Sequence, residues 1–280
     1  MGRPEAAALG LASALGMDDT ALHELLARGV DAIQAEIEAL GDDEALECFE
    51  YVFSQPAGSS DRVFDNSPYP RDCDAAGVRA DRRHAKTGEP LVLADFVKHP
   101  IAQQAELNAA QIVALRLYST AAFKAINGPL RDGRRRTPHP LAATVANLTE
   151  AIKKLRAVDT ENKALDLWRG MRNLGTTSKF ESHGGSELAL MSTTSDPTVA
   201  VRYALSGHSL LFKVSATSFM NRGADITWLS AFPAEKEVVY PPLTYLQPTG
   251  RREVVTIEAG EAGKGSPRME FTVLEVEPHV

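Results

Sequence analysis

The chain of 280 residues has few of the features that mark a metalloprotein or a disulfide-rich protein. Its two cysteines, Cys48 and Cys73, are far apart and lack a metal-ligand spacing, which is more typical of free thiols than of a disulfide. The seven histidines are scattered along the chain. No metal site is therefore expected.

Long apolar runs and an excess of basic residues are also lacking. No stretch approaches the roughly 20 apolar residues that cross a bilayer, and the first residues lead into an Ala-rich segment without a hydrophobic signal core. Lysine and arginine number 30 against 37 aspartates and glutamates, which gives a formal net charge of -7. Because nucleic acids and anionic membranes bind basic faces, neither is expected as a partner. The lack of a spanning run and of a signal core predicts a cytoplasmic protein.

Helical periodicity dominates the first part of the chain. Apolar residues recur at helical spacing within residues 5–53, 102–127 and 141–158. Residues 54–90 instead carry Gly, Ser, Pro and charged clusters without periodicity, which indicates either a binding loop or a mobile linker.

The second part has short β-prone runs separated by turn residues. They lie at residues 164–171, 187–195, 209–215, 225–229, 237–240, 243–247, 253–258 and 269–277. One helix is predicted among them, at 197–205, with Asp196 as its cap and Pro197 at its first position. Helices followed by strands predict an α+β fold without βαβ alternation.

Two carboxylates, Glu235 and Glu237, are candidate site residues because they lie two apart at the start of the predicted strand 237–240. On one strand, residues i and i+2 leave the same face. Like charges held side by side destabilise the folded state unless they have another use. The alternative interpretation is a solvated strand face with Lys236 opposite.

Two further patterns fall on predicted strands. Arg169 lies inside an apolar run directly before Gly170, so that it needs either a salt bridge or a pocket that binds an anion. Ser192, Thr193 and Thr194 end another apolar run, and strand-end hydrogen bonding explains part of this hydroxyl cluster.

In this order Arg169, Ser192 and Glu237 resemble the R-S-E signature of the arginine-specific mono-ADP-ribosyltransferases. The resemblance extends upstream to residues 115–120 and 125–131 and covers roughly residues 105–280. It implies a cholera-toxin-like catalytic domain over 105–280, with two packed, mostly antiparallel sheets around an NAD cleft. Residues 1–104 are predicted to be a helical extension with an irregular loop, whose role the sequence leaves open.

The resemblance also implies which residues bind NAD. Arg169 would hold the phosphates or the nicotinamide-side ribose, and the backbone of Gly170 would meet the carboxamide. Ser192, Thr193 and Thr194 would provide the hydroxyl groups of the cofactor site from one strand. The family pattern here is Ser-Thr-Ser, so Thr194 adds a methyl group and is stiffer about χ1.

The resemblance implies a different role for each residue of the acidic pair. Ser192 would orient Glu237, which would bind the ribose 2′-hydroxyl as positive charge develops at the anomeric carbon. Glu235 would bind the guanidinium of a protein acceptor. Phe232, in the loop before it, is the expected exposed aromatic at the target, and packing beside Pro233 is its alternative.

The predicted activity is transfer of ADP-ribose from NAD to arginine side chains of a target protein, with release of nicotinamide and without a metal. Two alternatives remain. The first is an NAD glycohydrolase on the same fold. The second is a catalytically silent module that binds ADP-ribose or a protein.

Overall fold

The computed structural model describes residues 10–58, 67, 69–74, 76–77, 82–159, 164–206, 208–258 and 268–280. Within them, helices dominate up to residue 158 and strands dominate thereafter, so the predicted α+β class is confirmed. None of the helices in these ranges combines the length and the apolar character that a bilayer crossing requires.

Nine helices of the described residues precede the first strand. They are α1 Leu11–Leu15, α2 Asp19–Ala27, α3 Val30–Leu40, α4 Asp43–Ser54, α5 Leu93–Val97, α6 Pro100–Gln104, α7 Ala109–Tyr118, α8 Phe123–Arg131 and α9 Ala142–Val158. The two later helices are α10 Ser178–His183 and α11 Pro197–Ala204.

The single helix predicted over residues 102–127 is wrong, because this stretch forms α6, α7 and α8. Shortly after α6, Glu106 adopts a φ of 51°, which lies outside the right-handed helical region, so the helix cannot continue. Asn108 then caps α7, and its side chain and that of Gln111 each accept a hydrogen bond from the other's backbone N–H. Local capping therefore overrides the apolar periodicity.

Helix α7 lies at the centre of the helical layer, since all residues from Ala110 to Tyr118 are buried. One hydrophobic cluster joins the N-terminal helices to α7, α8 and α9 and to residues of the 224–239 region. The N-terminal helices thus share one hydrophobic core with the part of the chain that leads to the acidic pair. The division of the chain near residue 104 remains a prediction.

The eight described strands form one sheet in the order β2-β7-β8-β4-β1-β3-β6-β5. Their bounds are β1 Leu165–Arg172, β2 Gly185–Glu187, β3 Met191–Thr194, β4 His208–Ala216, β5 Ala224–Asp225, β6 Glu237–Tyr240, β7 Thr244–Glu258 and β8 Arg268–His279. Among these pairings only β4 with β8 is parallel. The five strands β2-β7-β8-β4-β1 and the three strands β3-β6-β5 meet at a single residue pair, Trp168 with Thr194. The predicted arrangement of two mostly antiparallel parts is therefore present, and the pairing of β1 with β3 joins the two parts.

Four of the predicted strands differ from the structure. The predicted strand 187–195 is divided between the last residue of β2 and the whole of β3, and the predicted strand 225–229 shares only Asp225 with the short β5. The predicted strands 243–247 and 253–258 are one long strand, β7, with a register shift between Pro248 and Arg252. Gly250, with φ at 84°, lets the chain pass through this irregularity without leaving the sheet.

The segment 54–90 is anchored to the core at Asp72, which is fully buried. Its carboxylate accepts hydrogen bonds from Tyr51 Oη at 2.7 Å, Arg82 Nε at 2.9 Å and Arg116 Nη2 at 3.0 Å. Arg82 and Arg116 also donate to backbone carbonyls within residues 227–230. A mobile linker is therefore the wrong interpretation of the described part of this segment, because a buried ionic network fixes it.

Both cysteines are buried free thiols. Cys48 lies in α4, and Cys73 directly follows Asp72. Burial raises the pKa of the Cys48 thiol. These thiols therefore behave as small core residues.

Candidate active site

One cleft, with an internal volume of about 220 Å³, brings together all the residues that the sequence predicted for the site. Helices α7, α8 and α11, strands β1 and β3, and the chain from 232 to 237 contribute to its walls. The predicted residues that line it are Arg169, Gly170, Ser192, Thr193, Thr194, Glu235 and Glu237.

Adjacent strands explain how distant parts of the sequence meet in this cleft. Strand β3 lies between β1 and β6, and its Thr194 is in register with Glu237. Across the β1–β3 junction, Arg169 Nη1 donates a hydrogen bond to the backbone carbonyl of Ser192 at 3.1 Å. The three residues of the predicted signature therefore lie on three neighbouring strands.

Arg169 has the carboxylate partner that its position in an apolar strand required. Its Nη2 lies 3.5 Å from Oε2 of Glu187, and the two side chains are only 18% and 17% exposed. Arg131 of α8 contacts the same carboxylate through two nitrogens, at 2.9 and 3.1 Å. Burial lowers the pKa of Arg169, and Glu187 opposes that shift. Glu187 thus lies between two guanidinium groups at one side of the cleft.

Gly170 lines the cleft, and its lack of a side chain is required by the packing of α11 against β1. A Cβ atom added there would lie 1.9 Å from the carbonyl oxygen of Ala200 in α11. No side chain can be accommodated against that backbone without moving the helix. Gly170 therefore allows α11 to lie directly on β1.

The hydroxyls of Thr193 and Thr194 are both used within the protein. Thr193 Oγ1 donates to the carbonyl of Val238 at 2.7 Å, which reinforces the β3–β6 pairing. Thr194 Oγ1 donates to the carbonyl of Glu235 at 2.6 Å and accepts from the backbone N–H of Asp196 at 3.0 Å. These contacts fix the chain on both sides of the acidic pair.

The acidic pair does not lie on one strand face, which corrects the sequence-based expectation. Glu235 ends a 3₁₀ turn, Pro233–Glu235, and strand β6 begins only at Glu237. Lys236 between them has φ at 48°, in the left-handed region. The change of backbone conformation separates the environments of the two carboxylates: Glu237 is 5% exposed, whereas Glu235 is only half-buried.

Burial perturbs both carboxyl groups. It raises the pKa of Glu237 to about 8, and the nearby Glu235 adds to this shift while hydrogen bonding from Ser192 opposes it. Burial also raises the pKa of Glu235, against the hydrogen-bonding effect of Ser67 and Tyr203. Two acidic groups with perturbed pKa values in one cleft are typical of a catalytic site.

Phe232 is not the exposed aromatic that the sequence predicted. Its side chain is 2% exposed and belongs to the same hydrophobic cluster as α7. The structure favours the alternative, in which Phe232 is a packing residue, and the adjacent Pro233 is also buried. An apolar side chain at the cleft wall is stabilised by burial even where the chain around it is irregular.

Sequence reasoning missed several residues that line the cleft. Tyr203 of α11 donates from its hydroxyl to Oε1 of Glu235 at 2.5 Å. Its signal was helical spacing, because Val199, Ala200 and Tyr203 all line the cleft from one face of α11. Ser67 also lines the cleft, and nothing in its irregular surroundings indicated this.

The chain matches the model of a known protein family. The family model for NAD:arginine ADP-ribosyltransferases matches residues 77–261, which is more than half of the chain. The chain therefore belongs to the NAD:arginine ADP-ribosyltransferase family. As a member, it is an ADP-ribosyltransferase whose ADP-ribose donor is NAD. No curated protein matches the chain significantly.

Solved structures similar to the chain include three bacterial proteins, two of which are described as ADP-ribosyltransferases. Plx2a, a toxin from Paenibacillus larvae, is 14% identical, with 66% of this chain and 94% of that chain covered and a TM-score of 0.46. HopU1 from Pseudomonas syringae is 18% identical, with 64% and 81% covered and a TM-score of 0.45. Exoenzyme S from Pseudomonas aeruginosa, in complex with human 14-3-3 protein beta and bound to carba-NAD, is 20% identical, with 65% and 86% covered and a TM-score of 0.42.

Proposed function

We propose that the protein transfers ADP-ribose from NAD to arginine side chains of a target protein and releases nicotinamide. The observation that supports this most is the pairing of two carboxylates in different environments within one cleft, Glu237 buried and Glu235 held by hydroxyl groups. One carboxylate can then act in the cleavage of NAD, and the other can bind the acceptor.

Glu237 is the proposed catalytic carboxylate. When the bond from ribose to nicotinamide breaks, positive charge develops at the anomeric carbon, and an anion held beside it stabilises the transition state more than the ground state. Its burial strengthens this effect, because the effective dielectric is lower there than in water. Ser192, whose hydrogen bonding lowers the pKa of Glu237, favours the ionised form that this role needs.

The NAD would lie along the strands that carry Arg169, Gly170 and Ser192. Arg169 and Arg131 provide two guanidinium groups at one side of the cleft, which suits a pyrophosphate. Thr193 and Thr194, which were predicted as cofactor-binding residues, are proposed to shape the site through their hydrogen bonds to Val238 and to Glu235.

Glu235 is the proposed acceptor-binding residue. An arginine side chain is protonated at physiological pH and becomes a nucleophile only when a neighbouring carboxylate binds it and accepts a proton. A carboxylate also matches the fork geometry of a guanidinium. The half-buried position of Glu235 at the cleft gives such a group access to it.

Peptides that differ at one position test the acceptor class directly. The protein is incubated with labelled NAD and otherwise identical peptides that carry Arg, Lys, Asn or Cys, and adducts are located by mass spectrometry. We expect ADP-ribose on the Arg peptide alone. Label on another residue contradicts arginine specificity, nicotinamide release without label supports the glycohydrolase alternative, and NAD binding without turnover supports the silent module.

A further inference from the structure

Glu235 is held by side chains from two other parts of the chain. The hydroxyl of Tyr203 in α11 donates to its Oε1 at 2.5 Å. Ser67 lines the same cleft as Glu235 and Tyr203, and its hydrogen bonding lowers the pKa of the Glu235 carboxyl. Ser67 and Tyr203 also interact with each other. Ser67 precedes residues 77–261, the region that the family model matches.

The side chains that hydrogen-bond to Glu235, those of Tyr203 and Ser67, both carry hydroxyl groups. Among the described residues no lysine, arginine or histidine forms an ion pair with Glu235, although its neighbour Lys236 pairs with Asp196 at 3.3 Å. A nearby cation favours the ionised form of a partly buried carboxylate more than neutral hydroxyl partners do. A cationic acceptor would supply the missing charge.

The contacts leave room for such an acceptor on the carboxylate itself. An ionised carboxylate has about four lone-pair positions, and a single hydroxyl donor occupies one. A guanidinium fork can then use one lone pair on each oxygen while Tyr203 and Ser67 use others. A glutamate side chain has several rotatable bonds, so fixed donors reduce the entropy that is lost when the acceptor binds.

We infer that Tyr203 and Ser67 are positioning residues that hold Glu235 in the orientation in which it binds the acceptor guanidinium. This rests on the proposed function. It extends the acceptor side of the site to Ser67, outside the matched family region. The ring of Tyr203 also lines the cleft, so its hydroxyl is the part that acts on Glu235.

The test is Tyr203→Phe, which keeps the ring and removes only the hydroxyl, together with Ser67→Ala and the double variant. For each we would measure KM for an arginine peptide, KM for NAD, and NAD hydrolysis without acceptor. We expect Tyr203→Phe to raise the peptide KM about tenfold or more, since hydrogen bonds to charged groups are among the stronger ones. NAD hydrolysis and KM for NAD should stay within about twofold, and the double variant should show non-additive effects on the peptide KM.

Tyr245→Phe is the matched control, because the Tyr245 hydroxyl bonds to the carbonyl of His183 and to Gln247, away from the cleft lining. It should change none of the three parameters, and thermal melting should show that every variant is folded. If Tyr203→Phe leaves the peptide KM unchanged, or changes NAD hydrolysis by the same factor as peptide transfer, the positioning role is overturned. A wild-type protein that modifies no arginine peptide overturns the proposed function and this inference together.

Discussion

The Thr194 hydroxyl donates a hydrogen bond to the backbone carbonyl of Glu235, with 2.6 Å between the oxygens. It therefore ties the end of β3 to the 3₁₀ turn that carries the acceptor-side carboxylate. This contact needs a hydroxyl but not the methyl group of threonine. A serine at this position can form the same bond.

The first prediction compares two substitutions of Thr194. Thr194→Val keeps the shape and removes the hydroxyl, so ADP-ribose transfer should fall by roughly fivefold or more, in line with about 1 kcal/mol for one hydrogen bond. Thr194→Ser should retain activity within about twofold. Steady-state transfer kinetics check both, and equal activities for the two variants would show that the bond is unimportant.

The second prediction concerns Glu187, whose carboxylate contacts both Arg131 and Arg169. Glu187→Gln should lower the melting temperature, because the partly buried Arg169 loses its charged partner. NAD should then raise the melting temperature more in this variant than in its parent, since the pyrophosphate replaces the missing negative charge. The parent and the Glu187→Gln variant should both carry Glu237→Gln, so that NAD is not consumed during the measurement.

The control for this experiment is Glu253→Gln, which changes an exposed glutamate on β7. Its melting temperature and its response to NAD should match those of the parent. An equal NAD-induced shift with and without Glu187→Gln would contradict the placement of the pyrophosphate beside Arg131 and Arg169.

The third prediction is a pH dependence that follows from the raised pKa of Glu237, about 8 in the free protein. The ionised form is the active one, so kcat/KM for NAD should rise as pH increases from 6 to 9 and then level off. Ser192→Ala removes a group that lowers this pKa, so the rise should move to higher pH. A flat profile over this interval would contradict the assignment of Glu237.

The fourth prediction concerns the buried network around Asp72. Asp72→Asn keeps the shape but leaves Arg82 and Arg116 without their shared countercharge. Loss of one partner of a buried ion pair typically destabilises a protein by about 3–5 kcal/mol. Urea unfolding at neutral pH measures this, with the exposed Asp19→Asn as a control, and a loss under about 1 kcal/mol would contradict the importance of the network.

Patterns that depend on local chemistry were predictable from the sequence. Strand β6 occupies the predicted residues 237–240, and α11 begins at Pro197 after the Asp196 cap, as predicted. The seven predicted site residues line one cleft because the strands that carry Arg169, Ser192 and Glu237 are neighbours in the sheet. That convergence followed from the family resemblance, since periodicity alone does not specify which strands pair.

The features that were missed depend on tertiary contacts. The turn between Glu235 and Glu237 requires a left-handed residue at Lys236, and lysine gives no signal for that conformation. Asp72 and Ser67 lie in a segment without periodicity, where burial comes from polar partners distant in the sequence. Phe232 is buried in a hydrophobic cluster that also contains residues of α7 and α8, which lie far from it in the sequence.

The most direct test of the two-carboxylate account is to measure nicotinamide release and arginine-peptide labelling in parallel for wild type, Glu235→Gln and Glu237→Gln. Glu235→Gln should lose labelling and keep nicotinamide release, because only the acceptor site is impaired. Glu237→Gln should lose both, because the transition state for breaking the ribose–nicotinamide bond is no longer stabilised. Labelling that persists in both variants would contradict the account.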